Sequence, residues 1–285
     1  MLSIDKNFIF ELHRIVVEGL SSRPGAEGDA RPGAYRNRPR QIQNSNHALP
    51  LPADIRDLMN DLIVFINKPT PHQMDLVKIA QVHHRFVWIH PFGNGNGRVV
   101  RLLTYAMLAK RGYIDKNGAR LLDPAAVFGS NKFTYYDMLS GADNLSEAGL
   151  VAWCEYMLKG LVDEVGKIDK LLDGDFTKRQ IIVPAIEYAY EKEKINTLEK
   201  DMLLVCVEKD IVSASDFRHL FPKDISRVNV SQAIRKLRDQ SLIAPVSENA
   251  RKYTLTMNRS PLTAGILKKL DDCGFLPPLE QTRTS

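Results

Sequence analysis

Apolar residues recur at helical spacing along the first part of the chain. In residues 5–19 they are Phe8, Leu12, Ile15 and Val16; in 53–67 they are Leu58, Leu62, Phe65 and Ile66; from Pro71 onward they are Met74, Val77, Ala80 and Phe86. Steps of three and four place such residues on one face, so each stretch predicts an amphipathic helix. A fourth stripe of Val99, Leu102, Leu103, Ala106 and Met107 closes near Gly112, a residue suited to cap a helix C-terminus. Between the first two helices, residues 21–52 are rich in Gly, Pro, Arg and Asn and read as loop.

Beyond about residue 170 the pattern shortens. A linking helix over 171–195 leads to helical patterns at Leu198–Glu208, Ser213–Phe221 and Asn229–Gln240, with Pro222–Arg227 as the turn between the last two. LIAPVSENARKYTLTM then predicts two strands around a polar turn. This order is the winged helix-turn-helix layout, in which the third helix can enter a DNA groove. The expected fold class is mainly α: a helical bundle over 1–170, the linker over 171–195, a winged helix over 196–260 and a tail over 261–285.

Composition narrows the class. A chain of 285 residues has room for one large domain or two modest ones, and 44% hydrophobic with 26% charged residues is a globular balance. No apolar run reaches the roughly 18 residues of a membrane span, and MLSIDKNFIF is too short and acidic for a signal peptide. The cytoplasm is the expected location, with no membrane partner. Cys154, Cys206 and Cys273 have neither metal spacing nor even number, which predicts buried thiols. The net charge of +5 is too mild to identify a partner.

The chemistry concentrates in HPFGNGNGRVVR, residues 90–101. Glycines at 93, 95 and 97 let consecutive backbone N–H groups turn inward as an anion nest, and the helix that follows adds its positive end. Arg98 stands at that helix start, where a forked guanidinium suits phosphate oxygens. His90 lies a few residues upstream and can act as a neutral base. The segment is not a Walker A loop, since no Lys-Ser/Thr follows the glycines, nor a Rossmann turn, since a helix rather than a strand precedes it.

This segment resembles the Fic family signature, HPFx(D/E)GN(G/K)RxxR, at every fixed position but one. The resemblance implies a helical protein adenylyltransferase that moves AMP from ATP to a Ser, Thr or Tyr hydroxyl of a target protein and releases pyrophosphate. By position it implies His90 as the general base and Phe92 as the core anchor of the loop. Gly95, Asn96, Gly97 and Arg98 would bind the α- and β-phosphates, with Arg101 near the γ-phosphate. ATP and Mg²⁺ or Mn²⁺ are the implied cofactors. The departure is Asn94, where the family has a carboxylate for the metal; an amide oxygen can ligate Mg²⁺ but brings no charge.

The same resemblance gives residues 35–50 the role of a β-hairpin flap on which the target docks by strand addition. It places Tyr136, Asn131 and Asn144 of SNKFTYYDMLSGADN beside the adenine. His83 and Phe86 fit a structural HxxF pattern, and a metal site from His83, His84 and His90 is disfavoured because adjacent residues on a helix face different ways. The family's inhibitory (S/T)xxxE(G/N) element has no match in register; Ser22 with Glu27-Gly28 comes nearest. Either the chain is unrestrained, or restraint comes from a separate inhibitor chain or an upstream segment; a homodimer is a further partner to consider.

In the second part, Arg227, Arg235, Lys236 and Arg238, with Arg251 and Lys252 on the wing, offer contacts to DNA phosphates. Glu191, Glu193, Asp201, Asp210 and Asp239 oppose that field, which favours dimerisation or target positioning over DNA. Two classes remain: an AMP transferase, or a DNA-binding regulator whose first domain senses nucleotide. A sensor has no need of His90. Within the enzyme class, transfer of another phosphate-containing group stays open, although Gly97 in place of Lys favours AMP.

Overall fold

A computed structural model describes residues 3–42, 45, 47–113, 131–222, 227–248, 250–257 and 259–276. The chain divides into two compact units, Met1–Gly166 and Lys167–Ser285.

In the first unit, α1 (Lys6–Val17) starts where the Asp5 carboxylate accepts the Phe8 N–H at 2.8 Å. Its buried face is Ile9, His13 and Val17, one position off the expected stripe, and Ile15 is exposed. His13, although polar, lies on the i, i+4 line of this core face. Helices α2 (Ile55–Asn67), α3 (Asp75–Ile89) and α4 (Asn96–Lys110) follow, and α3 packs against both neighbours. Because α3 is enclosed on several sides, Lys78, His83 and His84 are buried on it along with Ile79, Val82, Phe86 and Ile89. Phe65, Met74 and Leu102, expected in the core, face outward instead. Helices α5 (Lys132–Ala142) and α6 (Glu147–Leu172) close another side of α3, where the Trp153 indole donates to the Ala80 carbonyl at 2.7 Å.

The hairpin expected at 35–50 is not formed by the described residues, which carry no strand; 43, 44 and 46 lie outside them. A short isolated ribbon has no sheet to pair with, and Pro39 and Pro50 remove donors from it. The segment is held instead by Arg36, whose N–H donates to the Pro91 carbonyl at 2.8 Å.

The second unit contains a short turn of helix at Gly174–Phe176, a π-helical stretch at Thr177–Ile182, α7 (Val183–Glu191) and α8 (Thr197–Lys209). A capping box of Asn196 and Glu199 starts α8. Strand β1 (Val212–Ser213), a 3₁₀ turn at Arg218–Leu220, α9 (Arg227–Asp239), β2 (Ile243–Pro245), β3 (Lys252–Leu255) and α10 (Thr263–Asp272) follow. The antiparallel sheet has order β1-β3-β2, with Val212 opposite Tyr253 and Ala244 opposite Thr254. Met202, Leu203, Phe217, Leu237 and Leu242 fill its core.

Two expectations change here. Over 213–221 a strand and a 3₁₀ turn replace the helix, because the Asp216 carboxylate accepts both the backbone N–H and the hydroxyl of Ser213 and bends the chain locally. The turn expected at Pro222–Arg227 falls largely on 223–226, outside the described residues. The stretch expected as a tail carries α10, which packs against α7 at Gly265, where a Cβ would come within 2.7 Å of the Ala185 carbonyl oxygen. Among the described residues no helix is long and apolar enough to cross a membrane.

Candidate active site

His90 is the C-cap of α3. It adopts left-handed φ 50 and ψ 60, uncommon for a residue with a β-carbon, while its N–H still donates to the Phe86 carbonyl at 3.0 Å. Its own carbonyl accepts the Arg36 Nε at 2.8 Å. Burial pushes the imidazole pKa down to about 4; the Val87 carbonyl opposes the shift without closing a full hydrogen bond on Nδ1, and Arg36, His47 and Arg40 reinforce it. The ring is therefore neutral at cellular pH, in the form a base requires.

The loop after His90 is anchored from below. Phe92 is fully buried and stacks on the His13 ring with centroids 3.8 Å apart. Asn96 closes the loop on itself: its Oδ1 accepts the Phe92 N–H and its Nδ2 donates to the Phe92 carbonyl, both at 2.9 Å. The Asn96 side chain is thus committed to the loop, and what it can offer a phosphate is its backbone N–H. Gly95, at φ 76, turns the chain into α4 in a conformation other residues resist. The N–H groups of Asn96, Gly97 and Arg98 then open the helix without intrahelical partners. A Cβ built on Gly97 meets nothing within 4 Å, so the side-chain direction at this exposed position is open.

Arg98 is engaged elsewhere. Its guanidinium donates to the Val16 carbonyl at 2.6 Å and to the Glu27 carbonyl, and lies 3.9 Å from the Glu27 carboxylate. The loop between α1 and Arg36 therefore lies over the signature. The Asp29 carboxylate accepts the Asn94 N–H at 2.9 Å, and a Cβ on Gly93 would come within 2.9 Å of it. His13 ties the same parts together: it reaches the Asn94 carbonyl at 3.2 Å, accepts the Gly33 N–H at 2.9 Å and sits 3.4 Å from Asp29. Sequence reasoning missed Asp29 and Arg36 because a Gly- and Pro-rich stretch carries no periodicity, and it named Glu27 only as an out-of-register match, with no link to Arg98. His13 left a signal, a polar residue on an apolar helix line.

Arg101, one turn after Arg98, leaves its buried Nε without a partner. Its charge lowers the His83 pKa, and the Tyr135 hydroxyl feels it too, which places it toward α3 and α5. His83 links three helices by reaching the Thr104 hydroxyl at 2.8 Å and the Tyr135 hydroxyl at 2.9 Å. Tyr135 is buried and Tyr136 is 50% exposed, so of the pair Tyr136 is the one open to solvent. The amide oxygens of Asn131 and Asn144 accept backbone N–H groups of Phe133 and Thr134 and of Ser146, which leaves their amino groups for other partners.

Residue 94 does not fit a metal ligand. The Asn94 amide donates to the Ala26 carbonyl at 2.9 Å and the Gly28 carbonyl at 3.2 Å, and its oxygen accepts the Gly95 N–H at 2.7 Å. Among the described residues no group of three or more His, Cys, Asp or Glu side chains is arranged to hold a metal ion.

A helix, a left-handed histidine, a glycine turn and a second helix with two arginines make up the site. Residues 3–108 match the model of the Fic/DOC family. A protein adenylyltransferase Fic of Nematostella vectensis is 31% identical over 144 residues, covering 50% of this chain and 29% of that protein. One of Aedes aegypti is 31% identical over 136 residues, covering 47% and 24%. The chain thus spans less than a third of these relatives' length. A solved Fic family protein from Desulfovibrio desulfuricans G20 is 20% identical with a TM-score of 0.49, over 90% of this chain and 70% of that one.

Proposed function

We propose that the first unit is a protein adenylyltransferase. The observation that carries this reading is the meeting, within one loop, of a part-buried, neutral His90 with a helix start whose Gly97 is exposed and uncrowded. ATP lays its phosphates on the N–H groups of Asn96, Gly97 and Arg98, while Arg101 supplies an unspent cation. Arg98 joins them once it leaves the carbonyls of Val16 and Glu27. His90 takes the proton of a target hydroxyl, the hydroxyl oxygen bonds to the α-phosphorus, and the bond to the bridging oxygen breaks, releasing pyrophosphate. Positioning and electrostatics do most of the work. Since Asn94 is spent on the loop, a divalent cation that accompanies ATP gains no charged ligand from that residue.

Segment 37–50, whose described residues carry no strand, is the place we assign to pairing with an extended stretch of the target. The second unit we read as a winged helix that serves self-association or target positioning. Two of its basic residues are already opposed, Lys236 by Glu199 at 2.8 Å and Arg235 by Asp239 at 3.9 Å, which speaks against a DNA-facing helix. Intact-mass measurement after incubation with ATP and Mg²⁺, on the pure protein and on a lysate, tests the activity. A gain of one AMP that disappears in His90→Ala supports it; no gain under any divalent metal moves the reading to a nucleotide sensor.

A further inference from the structure

Arg36 is 5% exposed, and its guanidinium has no carboxylate partner among the described residues. It forks instead onto three backbone carbonyls: Nε donates to His90 at 2.8 Å, one terminal nitrogen to Pro50 at 2.7 Å and the other to Arg38 at 3.3 Å. Its backbone N–H adds a fourth tie, to Pro91. Burying a cation against neutral acceptors alone is unfavourable, and here burial holds the Arg36 pKa below its ordinary value, helped by the nearby Arg40 charge. A methionine or leucine would fill the same space without that cost. The carbonyls are not arbitrary. One belongs to His90, whose left-handed backbone needs holding, and the other two stand near the two ends of the segment on which a target strand would lie.

Resting on the adenylyltransferase reading, we propose that Arg36 is a positioning residue for the reaction: its guanidinium locks the His90 backbone and fastens both ends of segment 36–50 to the catalytic loop, so base and docking strand keep one register. A single planar fork does this because its five donors point in fixed directions, which the three rotatable donors of lysine do not. The His47 ring adds a second tie from the segment to the end of α3, reaching the Trp88 carbonyl at 2.9 Å, while Arg36 is the one that acts on the His90 carbonyl itself.

Hydrogen exchange on the full chain, with Arg36→Gln and Arg36→Lys compared with the native protein, tests the proposal. Both variants are expected to exchange the amides of Arg36 and His90, which donate to the carbonyls of Pro91 and Phe86, at least tenfold faster. Helices α1–α4 keep their protection, and a non-hydrolysable ATP analogue binds within threefold of native. In Arg36→Gln the His90 ring, followed by NMR, titrates above the native midpoint, since the charge of Arg36 is gone while those of His47 and Arg40 remain. Arg36→Lys keeps the charge without the fork and serves if the glutamine variant does not fold. Native-like exchange in either variant overturns the proposal. So does loss of protection spread evenly over α1–α4 together with loss of analogue binding, since Arg36 would then be a general stabiliser. None of these readouts uses transfer activity, so they stand or fall apart from the proposed reaction.

Discussion

Asn96→Ala removes the two hydrogen bonds that close the signature loop, and the cost follows from what they leave behind. Phe92 is fully buried, so its N–H and its carbonyl lose their partners where water does not reach them. An orphaned buried group costs about 1–3 kcal/mol, which puts the pair at about 3 kcal/mol. For a unit of this size that lowers the midpoint of its thermal transition by roughly 6–12 °C. Asn96→Asp separates the two bonds. Its carboxylate still accepts the Phe92 N–H and gains about 0.3–1 kcal/mol from the helix start, but it cannot donate to the Phe92 carbonyl. Its charge also sits beside the N–H groups proposed for phosphate. The expected order of stability is native, then Asp, then Ala, while ATP affinity by calorimetry is lowest for Asp. A loss under about 1 kcal/mol in Asn96→Ala, or tighter ATP binding by Asp than by Ala, refutes the account of the loop.

Other outcomes follow from the same geometry. Gly97→Ala enters open space on a helix, so it is expected to raise stability by about 0.5–1 kcal/mol while weakening ATP binding at least tenfold; unchanged affinity would remove phosphate from this turn. Asn94→Asp sets a carboxylate against the Ala26 and Gly28 carbonyls, so it should lower the thermal midpoint even where it strengthens metal binding, as a melt against a Mn²⁺ titration would report. On the pH axis, burial keeps His90 unprotonated in the fold down to about 4 and His83 down to about 3, with Arg101 and His84 adding to the second shift. The unfolded chain protonates both below about 6.5, so their contribution is complete above that pH and is lost progressively as pH falls toward 4 and 3. Urea midpoints that hold steady between pH 7 and pH 5 would contradict this burial.

The sequence by itself determined the helices that bracket the site, because the apolar period at 53–67, 71–89 and 99–107 is long and regular. It also determined the chemical content of the loop, since glycine, histidine and arginine carry their conformational freedom, basicity and charge wherever they stand. Tertiary structure decided which groups are already spoken for. Asn94 and Asn96 look alike in the sequence, yet one amide braces the loop over the signature and the other closes the signature on itself. Arg98 and Arg101 look like equal partners for phosphate, yet the first is held by carbonyls and the second keeps an unpartnered nitrogen. His13, Asp29 and Arg36 reach the site from tens of residues away, through contacts with no local period. Pattern is set by neighbours along the chain, whereas the satisfaction of a buried donor depends on whatever the fold brings beside it.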